Sequence, residues 1–559
     1  MVNERVRAGI AGAAGAVVAF GLAELVHGIY NLVPSIFVSL AQGIIELTPG
    51  GFATRAIETL GQADIPTLVT STIVGALVVA ALLSILSLKR PLVAAACVAL
   101  LAVVGLVAAF SEPFVAQSAT VITVVGALVM GSAVTVFLQN ISGLRAEDPA
   151  VPPDEAATPT SSEPAMEGVR VREAHSSGGI SVGRGQFVAL SGAAALVGLT
   201  AAGTGRVLSG GGSAESDEPK ALDLAGSSNE STDESTSGGK KSVTHEKLPA
   251  VPKDVSIDAP GMVPIVTPAK DFYLIDTALS SPRIDVDSWS LKVKGSGVRN
   301  PLELTYKDLQ SMSTREADVT LSCVSNEVGG GLISNGRWTG VMLSDVLKEA
   351  GVDPSKINKS SEQLVGRSAD DWTGGFKTKL AFDGREALVA FGLNDSELPQ
   401  KHGFPVRLVV PGIYGYVSAT KWLTEIELTN WDFDAYWIQR TWTKEGPIKT
   451  QSRIDTIKGD DNLSAGKIGI GGVAWAPHRG IDRVEVSTDD GDTWNEARLA
   501  AQLDKDTWRH YMYDWDAKPG DYTVKVRATD GEGDTQTSKT TKPHPNGASG
   551  HHTIKVSVA

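Results

Sequence analysis

Cys323 is the residue whose type and setting point most directly to chemistry. It closes a strand-like run in VTLSCVSNEVGGG (319–331), and polar, Gly-rich loop sequence follows it. A thiol at a strand end, facing a loop that lets a ligand approach closely, is placed to act as a soft thiolate donor to a metal. Nucleophilic catalysis would need a basic partner to lower its pKa, and no Cys/His spacing identifies one. Other chemistries lack their residues: there is no HExxH, no paired CxxC, no GxxxxGK[ST] and no CxxCH for covalent haem. GISVG (179–183) matches GxSxG, but no strand precedes it, so the strained elbow that exposes a nucleophilic serine cannot form. The second cysteine, Cys97, lies in an apolar segment of different composition, so a disulfide framework is excluded.

The elements that must position Cys323 follow from composition. The chain has 559 residues, of which 42% are hydrophobic and 20% charged, with a net charge of -14. That charge and the lack of long basic runs exclude a general nucleic-acid partner. Residues 1–140 form a membrane region with spans expected near 6–27, 66–88, 91–110 and 115–138, and a fifth span near 186–207. The apolar stretch 30–47 is short and begins beside Pro34. Taking it as interfacial puts Arg5, Arg7, Lys89, Arg90, Arg145, Arg170, Arg172 and Arg184 on one side, as positive flanks favour the cytoplasm. The amino terminus and the 141–185 linker are then cytoplasmic, and everything after Val207 lies outside. Arg184, Phe187 and the small-residue core after them resemble a twin-arginine export signal, with Gly185 in place of the second arginine.

Residues 208–248 read as a disordered tether, because Gly, Ser, Glu, Asp and Lys leave too little apolar surface to offset ordering entropy. The remainder is β-rich. Strands are expected in WSLKVKG (289–295), FPVRLVV (404–410), KWLTEIEL (421–428) and DRVEVST (482–488). A short helix is expected over LSDVLKEAG (343–351), with Ser344 as cap and Gly351 at its end. The last hundred residues alternate strand and turn signals as an immunoglobulin-type sandwich does.

Against this background the chain resembles the sulfite oxidase-type molybdenum-cofactor (molybdopterin) oxidoreductases over most of 255–559. The resemblance rests on TLSCVSNEVGGG, WTGVMLSDVLKEAGV (338–352), LPQKHGFPVRLVVPGIYGYVSATKWLTEIEL (398–428) and GGVAWAPHRGIDRVEVSTDDGDTWNEARL (471–499). Together with the α-helical multispan anchor read from composition, it implies an α+β molybdopterin-binding domain over 249–440 and an all-β immunoglobulin-like dimerisation domain over 441–559. It implies that Cys323 is the protein's thiolate ligand to molybdenum. His402 and Arg407 would lie along the pterin and its phosphate, Ser418 and Lys421 would contact the same anionic group, and Asp271, Phe272 and Tyr273 would line the pterin.

Two departures bear on substrate. Sulfite oxidases place one arginine a few residues after the cysteine and another in a Phe-x-Arg-Asn segment, where this chain has Glu327 and Ile275. Glu327 is thus expected beside Cys323 in the catalytic site, repelling an oxyanion by roughly 1–4 kcal/mol. A neutral S-oxide or N-oxide, free or protein-bound, is then the expected substrate, with a true sulfite oxidase or dehydrogenase and an inactive scaffold as the rival readings. Electrons would pass to or from a quinone or cytochrome, and a homodimer is implied. The membrane region offers a single histidine, His27, against the two usually needed for b-type haem, so no haem is expected. Glu24 and His27 share a helix face at i, i+3, an intramembrane ionisable pair that reads as functional by default, while their place near the outer interface makes snorkelling to water an equal reading.

Overall fold

The computed structural model describes residues 4–30, 32–49, 51–52, 56, 59, 64–112, 115–144, 184–214, 220–222 and 243–559. Most of the expected linker and tether, GISVG included, lies outside them. The chain divides into two compact units, 1–46 with 63–213 and 47–62 with 214–559.

In the first unit, α1 (Glu4–Ile29), α2 (Ile36–Leu47), α3 (Asp64–Ser87), α4 (Pro91–Phe110), α5 (Gln117–Ile141) and α6 (Arg184–Ala214) account for the apolar segments. Five helices, all but α2, contain stretches long and apolar enough to cross a membrane. The 12 residues of α2 rise about 18 Å, short of the roughly 30 Å hydrocarbon core. Apolar attraction gives little specificity among apolar helices, so close packing of small residues must supply it. Helix α1 shows this: a Cβ on Gly21 would meet the Gly198 carbonyl of α6 at 2.1 Å, and one on Gly15 the Gly131 carbonyl of α5 at 2.4 Å. Hydrogen bonds add to the packing. Ser84 donates to the Ala8 carbonyl and Gln139 to the Ser84 carbonyl. Glu24 differs from expectation: it is 7% exposed and accepts from Ser35 Oγ at 2.6 Å, because the turn before α2 folds back to meet it. His27 Nδ1 lies 2.7 Å from the Val33 carbonyl of the same turn.

The second unit is built from four sheets. The first has the order β1 (His245–Glu246), β4 (Thr314–Ser322), β5 (Ile333–Met342), β8 (Leu388–Leu393) and β10 (Arg407–Val409), with β9 (Ser396–Glu397) on β8. The second runs β3 (Leu302–Thr305), β2 (Ser290–Gly295), β11 (Leu423–Thr429), β6 (Gln363–Ser368) and β7 (Thr373–Lys377). Beyond residue 450, β12 (Gln451–Ile454), β14 (Gly466–Trp475), β18 (Arg509–Ala517) and β17 (Arg498–Leu499) form the third. The fourth orders β13 (Asn462–Leu463), β20 (His552–Val558), β19 (Gly520–Asp530), β15 (Ile481–Ser487) and β16 (Asn495–Glu496). The third and fourth share a core that includes Ile470, Val484, Tyr511 and Val526.

Each expected strand forms, with ends shifted by up to three residues. The expected helix is α8 (Leu343–Glu349, α7 being Tyr306–Gln310), but Met342 caps it without a side-chain bond and Ser344 lies inside it. The reason is that β5 runs into the helix with no turn between, so its start is fixed by the strand end.

Strand β4 is buried on both sides. Ala317, Val319 and Leu321 pack with Trp338 and Phe272, while Asp318 pairs with Arg337 at 2.8 Å. Thr320 is held by residues beyond 500: its amide donates to the Asp506 carbonyl and its hydroxyl accepts from the Trp508 amide at 2.8 Å. Burial pushes the Asp506 carboxyl up to about 6 from its ordinary 3.8, with Asp504 adding to the rise, and its Oδ1 faces the His478 Nδ1 at 3.4 Å. The folded state therefore binds this proton more tightly than the unfolded chain, so the associated stability is full below pH 3.8 and lost as pH rises through about 6. Asp506→Asn is expected to stabilise the protein by about 1–2 kcal/mol at pH 7.5, a gain that shrinks toward zero near pH 4. Chemical unfolding at the two pH values checks it.

Candidate active site

The end of β4 opens into a pocket with an empty volume of about 920 Å³, its mouth included. Both sheets of the amino-proximal half contribute to it. Cys323 comes from the end of β4, Ser368 and Asp370 from the end of β6, Arg407 from β10, and Lys421 and Trp422 from the approach to β11. The extended segment after Phe272 adds Tyr273, Ile275 and Asp276.

Cys323 is 8% exposed and lines this pocket. The loop after it is fixed by its own backbone: the Cys323 amide donates to the Leu332 carbonyl, the Asn326 amide to the Cys323 carbonyl, and the Leu332 amide to Asn326 Oδ1. Residues past 450 clamp the same loop. Arg453 Nη1 donates to the Gly330 carbonyl at 2.9 Å, and the His552 ring fills the space a Cβ on Gly329 would need, at 2.2 Å. Burial pushes the Cys323 thiol above its ordinary range, opposed in part by the Ser325 amide, which lies 3.4 Å from Sγ. Such a thiol becomes a thiolate when a cation binds it.

Arg407 is 4% exposed, and burial lowers it to about 10. Its Nη1 donates to the His402 carbonyl at 3.0 Å and its guanidinium lies 5.0 Å from the Trp338 ring centre. Among the described residues no carboxylate forms an ion pair with it. Asp276 acts on it only at a distance, raising it against the effect of burial, which leaves a place for a direct anionic partner such as a phosphate. Lys421, in contrast, is paired with Asp276 at 2.6 Å and donates to the Lys401 carbonyl; burial lowers it to about 8. Burial also raises Asp276, against the pull of Lys421, and Asp370.

Of the residues expected from the sequence, Phe272, Tyr273, Cys323, Arg407 and Lys421 come together around the pocket, as does Ile275. His402 and Ser418 lie behind it. His402 Nε2 donates to the Ala269 carbonyl at 3.0 Å and burial holds the ring neutral, lowered to about 3. Ser418 Oγ bonds back to the Tyr414 carbonyl at 3.0 Å. Asp271 and Glu327 are exposed and are not among the lining residues. Sequence reasoning did not find Asp276, Asp370 or the aromatic wall of Trp372, Tyr416, Trp422, Trp437 and Trp442. Asp276 stands beside Ile275 and was open to the same reasoning, whereas the tryptophans are spread over 71 positions and no local pattern unites them.

A buried thiol and a buried unpaired guanidinium in one pocket define a site for a soft metal joined to an anionic carrier. Residues 278–437 match the oxidoreductase molybdopterin binding domain and 444–542 the Mo-co oxidoreductase dimerisation domain. Mitochondrial sulfite oxidase of Rattus norvegicus is 31% identical over 276 residues, covering 42% of this chain and 50% of that protein. Sulfite oxidase of Arabidopsis thaliana is 28% identical over 42% of this chain and 70% of its own. In structure, the sulfane dehydrogenase SoxCD of Paracoccus pantotrophus superposes with a TM-score of 0.46 at 21% identity, covering 60% of this chain and 94% of that one. The chain spans about half the length of most of the curated sulfite oxidases it matches. Residues 278–542 thus have the domains of a sulfite oxidase-type molybdenum-cofactor oxidoreductase, the molybdopterin-binding domain preceding the dimerisation domain.

The donor set fits that cofactor: Cys323 would supply the thiolate to molybdenum, and Arg407 the fork to the pterin phosphate. Cys323→Ser is expected to abolish turnover, since an alkoxide is a poorer donor to a soft site, while moving the unfolding midpoint by no more than about 2 °C. Steady-state assay and a thermal scan of the same preparation check both.

Proposed function

We propose that this chain is a membrane-anchored enzyme whose cofactor domain faces outward and transfers an oxygen atom to or from a neutral S-oxide or N-oxide rather than sulfite. The carrying observation is the charge of the pocket. Lys421 is already neutralised by Asp276, Asp370 adds a second carboxylate, and Arg407 is the cation the cofactor phosphate would engage. A sulfite or sulfate ion there meets carboxylates with no cation left to it among the lining residues. A neutral oxide loses nothing by this, because its polar bond needs only a hydrogen-bond donor. Glu327 takes no part in this charge balance, since it is exposed and off the pocket; Ile275 and Asp276 carry the departure from an anion site.

When bound, the molybdenum centre supplies the two-electron oxygen-atom transfer. Reduction of an oxide takes two electrons and two protons and releases water, and the electrons come from an external carrier, a quinone or a cytochrome. Cys323 holds its thiolate in place through the pinned loop, and Arg407 anchors the carrier phosphate from the His402 carbonyl. The dimerisation domain supports a second copy of the chain as partner.

The substrate reading predicts that kcat/KM for sulfite oxidation falls at least about tenfold below that for reduction of a neutral oxide. Asp276→Asn, which frees the Lys421 charge, is expected to raise the sulfite value while Glu327→Arg leaves it within about twofold. Efficient sulfite turnover by the wild type would overturn the reading. The orientation rests on the one-sided basic flanks of the five helices. A reporter fused at 215 is expected to be active outside the cell and one fused at 160 inside, with alkaline phosphatase and green fluorescence as readouts; the reverse pattern would overturn it.

A further inference from the structure

The turn that joins β6 to β7 carries a charge that the proposed reaction leaves unbalanced. Asp370 lines the pocket, is half-buried, and among the described residues forms no ion pair. Its charge acts on Lys421 and on Asp276, which line the same pocket, so the carboxylate stands on their side of it. Lys421 is already in contact with Asp276. With Arg407 given to the cofactor phosphate, this wall sets two carboxylates against one cation, and a carboxylate placed beside apolar rings with no cation in contact is under-compensated.

Two indoles stand with Asp370, and backbone bonds bring them there. The Ser368 amide donates to the Trp372 carbonyl at 2.9 Å and the Asp371 amide to the Ser368 carbonyl at 3.2 Å, closing a turn that carries Asp370 and Trp372. Asp371 sits in it at φ +63, a conformation that Asp tolerates better than most side chains. The Tyr436 amide donates to the carbonyl and the hydroxyl of Thr373 at 3.3 and 3.0 Å, which ties the segment bearing Trp437 to the residue after Trp372. Trp372 and Trp437 both line the pocket and are partly exposed. Among the described residues no cation lies over either ring, whereas Lys421 lies over Trp422 and Lys377 over Trp431. A ring face attracts a cation and a carboxylate attracts it directly, so an acid with free indole faces selects a positively charged, weakly hydrated group. A quaternary ammonium meets both demands, because it brings a full charge and asks for no hydrogen bond.

We propose that the substrate carries a quaternary ammonium group apart from the group that exchanges oxygen, and that Asp370, with the faces of Trp372 and Trp437, is the specificity-determining site that holds it. This deepens the oxide reading and rests on it for the reacting end alone.

The test titrates choline and its uncharged isostere 3,3-dimethylbutan-1-ol calorimetrically into the full-length, cofactor-loaded protein. Choline is expected to bind at least about tenfold more tightly. Asp370→Asn, which keeps the shape and removes the charge, is expected to bring the two Kd values within about twofold of each other, with molybdenum content unchanged. Equal affinities in the wild type would overturn the proposal, as would an undiminished preference for choline in Asp370→Asn. A fall in molybdenum content in that variant would also overturn it, by giving the carboxylate to the cofactor. Should Asp370→Asn fail to accumulate, Trp437→Leu is read in its place: choline is expected to weaken at least about threefold and the alcohol by less, and an equal loss for both overturns the proposal. If the preference for choline depends on Asp370 but no S-oxide or N-oxide is turned over, the ammonium site stands and the oxide reading fails; if oxides are turned over while the two probes bind alike, the ammonium site fails alone.

Discussion

Everything in the β-rich half depends on holding one thiol still at the edge of a pocket that also buries a cation. A cysteine at a frayed strand end would present its sulfur in many positions, and a metal bound by a single protein side chain has no second ligand to correct the error. The chain answers by burying β4 on both faces and by tying the loop after Cys323 from two directions. Leu332 and Asn326 close it from within, and Arg453 and His552 press on Gly330 and Gly329 from the sheets beyond residue 450. That region therefore shapes the active site directly, in addition to any role in pairing two copies.

The pocket's electrostatics follow from the same economy of charge. Arg407 is buried beside the pocket with its hydrogen bonds going to carbonyls and Asp276 acting on it only at a distance, so it has room for a direct anionic partner. Lys421 is engaged with Asp276 and is not equally ready. The distinction matters because the two cations stand in one block of the sequence as equivalent basic residues, and only the fold separates a cation awaiting a ligand from one already neutralised.

How much was legible beforehand varied with the range of the interaction. The long apolar helices, the strands and the cysteine at a strand end follow from local pattern, and structure places them within a few residues. Five of the residues singled out around the cofactor meet at the pocket, because block order carries their relation. Glu327 was misread as a neighbour of the metal: four residues after Cys323 is close in sequence, but the turn through Ser325 and Asn326 directs it to solvent. Ser344 was misread as a cap because propensity says nothing about a strand running directly into a helix. Glu24 was expected to reach water, and the α1 to α2 turn, which no periodicity announces, covers it.

The central claim is that Cys323 is the protein's ligand to molybdenum, and absorption at the molybdenum K-edge tests it most directly. Spectra would be collected from the full-length protein and from Cys323→Ser, each with its metal content measured. The account predicts that the wild-type spectrum requires one more sulfur neighbour at thiolate distance than the variant's. Identical sulfur coordination in the two proteins would contradict it.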